Sequence, residues 1–162
     1  MSSASLRRTP EPSEHFGPVR DALTEVAESS FFTYVDGIDA SAFAELATAT
    51  ASWLRVSVTF SGAFGGTMAV TLPEPLARDL FASFLGLDAG EFVEDARLFD
   101  LVGELGNMVC GAWLTRTCRR RHFDLQHPAV ARLDAAVFPK RDVLQVAVSG
   151  QPVWVELAFT GC

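Results

Sequence analysis

Apolar and polar positions alternate with a period of two in two stretches near the middle of the chain. Leu54, Val56, Val58 and Phe60 alternate with Arg55, Ser57 and Thr59, and Met68, Val70 and Leu72 alternate with Thr67, Ala69 and Thr71. This period sends side chains to opposite faces of a strand, so each stretch predicts a half-buried β-strand. Ser61-Gly-Ala-Phe-Gly-Gly66 supplies the turn between them. Further on, Leu125 to Leu133 predicts another strand. Val143–Val148 and Val153–Phe159 predict a final hairpin around Ser149-Gly-Gln-Pro152.

Elsewhere the apolar positions recur at helical spacing. A first helix is expected from near Pro18 to about Val35, with Val19, Leu23, Val26, Phe31 and Tyr34 on its apolar side and Asp36-Gly37 as a stop. The alanine-rich stretch from Ala40 to Ala51 predicts a short helix. Pro73 and Pro75 open another that carries Leu76, Leu80, Phe81, Phe84 and Leu85, and Gly86 closes it. The longest helix should start with Asp95 as N-cap and reach about Cys118. Arg116, Arg119, Arg120 and Arg121 lie at or past its end, where positive charge complements the macrodipole. Helix, two strands, two helices and then strands make an α+β fold, an antiparallel sheet packed against two long helices. Residues 1–14 are polar and read as a flexible tail before a single domain over residues 15–162.

The long helix holds the chain's only asparagine, Asn107, three residues after Glu104. An amide competes for nearby backbone groups and is unfavourable in a helix interior, so its place there needs a reason beyond folding. On a helical wheel centred on Leu105, the residues Leu98, Leu101, Val102, Met108, Val109 and Ala112 all fall within ~60° and predict the buried stripe. Asp100, Glu104, Asn107 and Gly111 fall together on the far side within an arc of about 60°. Gly103, Gly106 and Cys110 flank that row with little bulk, so the acid and the amide are expected on a shaved-down, exposed surface. Asp21, Glu25 and Glu28 repeat the spacing of Asp100, Glu104 and Asn107, which marks the domain as a pseudo-repeat whose first copy lacks the amide.

Charge and composition narrow the function. At 162 residues with 49% apolar content the chain is long enough for one substantial core. A formal charge of −7 disfavours nucleic acid or an anionic membrane as partner. No apolar run approaches the ~18–20 residues of a membrane span, and no signal core opens the chain, so a cytoplasmic location is expected. Cys110, Cys118 and Cys162 lack metal-type spacing, and Cys110 and Cys118 read as reduced thiols in or near the helix. His122, Asp124 and His127 match no metal-site spacing, and Gly65-Gly66 lacks the lysine and helix of a phosphate loop.

The run Glu104-Leu-Gly-Asn107-Met-Val-Cys-Gly111 on a long helix resembles the CheC/CheX/FliY family of bacterial chemotaxis phosphatases. Phe64-Gly-Gly66 leading into a strand, the Pro73–Pro75 helix and Leu125-x-x-Pro128-Ala-Val130 follow in the family's order, and a single acid–amide pair is most similar to CheX. The resemblance implies hydrolysis of the phospho-aspartate of a CheY-like response regulator. Asn107 would orient the attacking water and Glu104 would dock the regulator's lysine. Asp100, Gly103 and Gly111 would belong to the partner-binding face. The Mg2+ would be the regulator's, so no cofactor of the chain's own is implied, and CheX-like relatives imply a possible homodimer. Two alternatives remain open. One is a non-catalytic module of the same fold that binds a receiver domain or a flagellar-switch component. The other is a structural dimerisation domain with Gly103, Gly106 and Gly111 buried against another helix.

Overall fold

The structure is a computed structural model that describes residues 11–88, 91–134 and 142–160. Seven antiparallel strands form one sheet in the order β1-β6-β7-β3-β2-β4, with β5 also paired to β2. The strands are β1 (Val35–Asp36), β2 (Trp53–Gly62), β3 (Gly65–Pro73), β4 (Phe123–Leu125), β5 (Ala129–Leu133), β6 (Val143–Val148) and β7 (Gln151–Thr160). The helices are α1 (Phe16–Ser30), α2 (Ala40–Thr48), α3 (Glu74–Leu85) and α4 (Asp95–Thr117). The α+β reading and the two alternating hairpins stand. Among the described residues no helix is long and apolar enough to cross a membrane.

The strand period decides which core each residue joins. Leu54, Val56, Val58 and Phe60 of β2 face the main core with Val19, Leu23, Leu98, Val102, Leu105 and Trp113 of α1 and α4. Trp53 and Trp154 point to the opposite face, where Phe43 and Ala47 of α2 cover them in a second, smaller cluster. Asp39 caps α2, its carboxylate accepting from the Ala42 N–H at 2.8 Å.

Four local expectations are corrected. The first helix stops at Ser30, because Phe32 takes a φ of 54° and the Phe31 and Thr33 N–H groups both donate to the Ala27 carbonyl. Tyr34 is therefore exposed, and Val35–Asp36 pairs with β6 instead of ending a helix. The expected strand from Leu125 to Leu133 is two strands, since the link at His127-Pro128 interrupts the pairing with β2. Glu94, not Asp95, precedes α4, and it makes no side-chain cap. Of the expected tail, residues 1–10 lie outside the described residues. Pro12–His15 form a 3-10 turn whose His15 ring packs among Phe64, Trp113 and Phe159.

Candidate functional site

Helix α4 is rotated about its axis relative to the expected stripe. Gly103, Gly106, Cys110 and Trp113 are buried, while Leu101, Met108 and Ala112 are only half-buried. The buried arc is thus turned by roughly a quarter of a circle towards the glycine side. The reason is contact. A Cβ on Gly106 would lie 2.6 Å from Val56 Cγ2, and one on Gly103 would lie 3.0 Å from Pro128 Cγ. Only glycine permits so close an approach of helix backbone to sheet and loop. Gly103 and Gly106 are thus occupied by Pro128 and Val56 of the same chain, and Gly111 stands in open space.

The rotation moves the polar row to the border of the buried arc. Asp100 and Glu104 are exposed, Gly111 is half-buried, and nothing lies within 4 Å of a Cβ added there. Asn107 is half-buried, and its Oδ1 is fully covered with no hydrogen-bond partner among the described residues. The expected open surface is therefore a groove of about 440 Å³, lined by Phe99, Asp100, Gly103, Glu104, Asn107, His127, Pro128 and Val130. The sequence reading missed the far wall. Val130 pairs with Val56 of β2, and that pairing carries it and the preceding Pro128 across to α4.

A buried amide oxygen with no partner costs about 1–3 kcal/mol, and such groups in native proteins call for an explanation. Here the packing of one end of the carboxamide outweighs that cost and holds the side chain at the groove wall. A side chain fixed by packing loses little entropy when it engages a ligand.

A cluster of charges braces the groove. Arg132 of β5 donates to Glu74 at 2.7 and 3.2 Å and to Asp95 at 3.0 Å. Arg78 reaches the same two carboxylates, each at 3.1 Å. The Arg132 guanidinium also lies 5.4 Å over the ring of Phe99, a groove residue. Hydrogen bonds from Arg132 foremost hold the Glu74 and Asp95 carboxyls below their usual range, and in return the guanidinium is held more firmly protonated. These contacts tie the N-terminal ends of α3 and α4 to the strand that forms the groove's far wall.

The other chemistry weighed in the sequence lies apart or is satisfied. His122 Nε2 stands 3.2 Å from Asp124 Oδ1 in an exposed pair, whereas His127 lines the groove. Among the described residues no group of three or more His, Cys, Asp or Glu is placed to hold a metal ion. Burial pushes the Cys110 thiol up to about 12, so it is inert at neutral pH.

Residues 55–141, more than half of the chain, match the family model described as chemotaxis phosphatase CheX, and the chain belongs to that family. The whole fold is similar to solved relatives. CheX from Vibrio vulnificus is 18% identical, covering 94% of this chain and 100% of its own, with a TM-score of 0.70. The CheX–CheY–BeF3–Mg2+ complex from Borrelia burgdorferi aligns at 15% identity over 92% of this chain and 99% of its own, with a TM-score of 0.64. FliY from Thermotoga maritima aligns at 14% identity over 96% and 93%, with a TM-score of 0.58. No curated protein matches the chain in sequence.

Proposed function

We propose that this chain is a protein-aspartyl-phosphate phosphatase that acts on a CheY-like receiver domain. The observation that carries this reading is the half-buried Asn107, its amide oxygen unpartnered, beside exposed Glu104 in an open groove. Membership of a family named for chemotaxis phosphatase activity supports it, as does a solved relative in complex with CheY.

Acyl-phosphate hydrolysis asks little covalent work of the protein. A water oxygen bonds to phosphorus as the bond to the aspartyl oxygen breaks, leaving a carboxylate and inorganic phosphate that takes up the released proton. Positioning that water in line is the main catalytic task. With its oxygen packed away, the neutral carboxamide can still donate from its NH2 end to the water without repelling the anion, which a carboxylate at the same position would do. Glu104, one turn away, offers an exposed carboxylate to a cation on the partner, fixing the helix in register. The Mg2+ belongs to the receiver domain in this scheme and neutralises phosphoryl charge there. The chain brings no cofactor of its own.

Phosphate release from a panel of phosphorylated receiver domains of the same genome tests the reading. The expected result is that one domain is dephosphorylated well above its intrinsic rate, and that Asn107→Ala lowers turnover on the order of 10²-fold with affinity little changed. Turnover by Asn107→Ala at the rate of the unaltered protein rules out the assigned role. Tight binding of a receiver domain with no phosphate release marks a docking module.

A further inference from the structure

A second, smaller groove of about 220 Å³ lies further along α4 and shares no lining residue with the first. Its lining includes Gly111, Cys118, Arg119, Arg121 and Leu125. Gly111 lies four residues beyond Asn107, so it stands on the same face of α4 one turn further on. An added Cβ there meets nothing within 4 Å, which leaves the step between the two grooves open.

The second groove is basic in a protein of net charge −7. Arg55, Arg78, Arg116 and Arg132 are each engaged by a carboxylate. Arg119, Arg120 and Arg121 are exposed, and among the described residues they have no such partner. Helix-end electrostatics does not account for all three, because the macrodipole's effect fades within the last turn. Arg120 and Arg121 lie three and four residues past Thr117, where α4 ends. The nearby anion Asp124 is paired with His122.

We propose that this basic turn is the second half of the docking surface, and that it receives an acidic patch flanking the partner's phosphorylated carboxylate. The inference rests on the phosphatase reading of the first groove. An acidic surface beside the phosphorylated site is repelled by exposed Asp100 of α4, while Glu104 is engaged by the partner's cation. Arg119 and Arg121 at the other end offset that repulsion. The strip therefore runs from acidic at Asp100 through the neutral amide to the basic turn after Thr117, about 26 Å along the helix at 1.5 Å per residue. Such a gradient fixes which way round the partner sits and speeds its approach.

Association of a receiver domain activated with beryllofluoride and Mg2+ is measured at several salt concentrations with the full chain. The variants are Arg119→Glu/Arg121→Glu, the milder Arg119→Gln/Arg121→Gln, and Asn107→Ala. Charge reversal is expected to slow association at least tenfold at low salt and to flatten its salt dependence, with the glutamine pair intermediate. Turnover at saturating phosphorylated partner should stay within about twofold, while Asn107→Ala shows the opposite split. Unchanged association in both arginine variants overturns the inference. If the unaltered protein neither binds nor dephosphorylates any receiver domain, the phosphatase reading falls and takes this one with it. If it does both and charge reversal changes nothing, only the docking inference falls.

Discussion

Gly106 lies so close to Val56 that an added Cβ would come within 2.6 Å of one valine methyl and 3.0 Å of the other. That contact sets the rotation of α4 and, through it, puts Asn107 at the border between core and groove. Valine is stiff at χ1 and cannot swing aside. Gly106→Ala should therefore destabilise the fold through overpacking of about 1–3 kcal/mol, less the roughly 1 kcal/mol that alanine gains as a helix former. Gly111→Ala, with open space around it, should stabilise by up to about 1 kcal/mol. Urea unfolding of the two variants gives the signs, and a stable Gly106→Ala would contradict the packing described.

Glu104 and Asn107 share a groove but differ in exposure, and their variants should separate accordingly. Glu104→Ala is expected to raise the concentration of receiver domain needed for half-maximal turnover as well as to lower the rate. Asn107→Ala should act chiefly on the rate. Initial rates over a range of partner concentrations distinguish the two, and identical profiles would refute the division of roles.

Acid should loosen the brace at the groove wall. The Glu74 carboxyl is held below its ordinary value, chiefly by Arg132, so the native state binds fewer protons there than the unfolded chain. Stability from this site is fully present above the unfolded value near 4.5 and is lost as pH falls through the lower native value. Glu74→Gln should cost about 1.5–3 kcal/mol at neutral pH, the range for hydrogen bonds to charged groups. The loss should shrink towards pH 3. Thermal melts across that interval show whether the difference between the two proteins narrows.

Thiol chemistry reports on the core under α4. Cys110 is fully buried and its thiol is raised to about 12, whereas Cys118 is half-buried at the helix end. An alkylating reagent at pH 8 should modify Cys118 before Cys110, which it reaches only at the rate of unfolding. Mass mapping of early products that found Cys110 labelled would contradict this packing.

The alternating strands were legible in the sequence because a period of two survives in any sheet with one dry face, as at Leu54 to Phe60. The rotation of α4 was not. A hydrophobic pattern gives glycine no weight, yet Gly103 and Gly106 mark the closest approaches of the helix. The acid–amide pair was visible from residue type and spacing, but the wall facing it depends on Pro128 and Val130, more than twenty residues away. The brace of Glu74, Arg78, Asp95 and Arg132 joins three elements and has no local signature at all. Phe32, placed inside a helix by its neighbours' spacing, instead takes a left-handed backbone and is 80% exposed.

The tryptophans fall on the two sides of the sheet, and this gives the molecule two separate optical channels. Trp53 and Trp154 lie 4.9 Å apart beneath α2, close enough for their excitations to couple, while Trp113 of α4 packs with His15, Phe60, Phe64 and Phe159 on the other face. Near-ultraviolet circular dichroism of the coupled pair follows one layer, and the emission of Trp113, read in a Trp53→Phe/Trp154→Phe variant, follows the other. Whether the layer bearing the groove loosens before its counterpart can thus be watched without attaching a label.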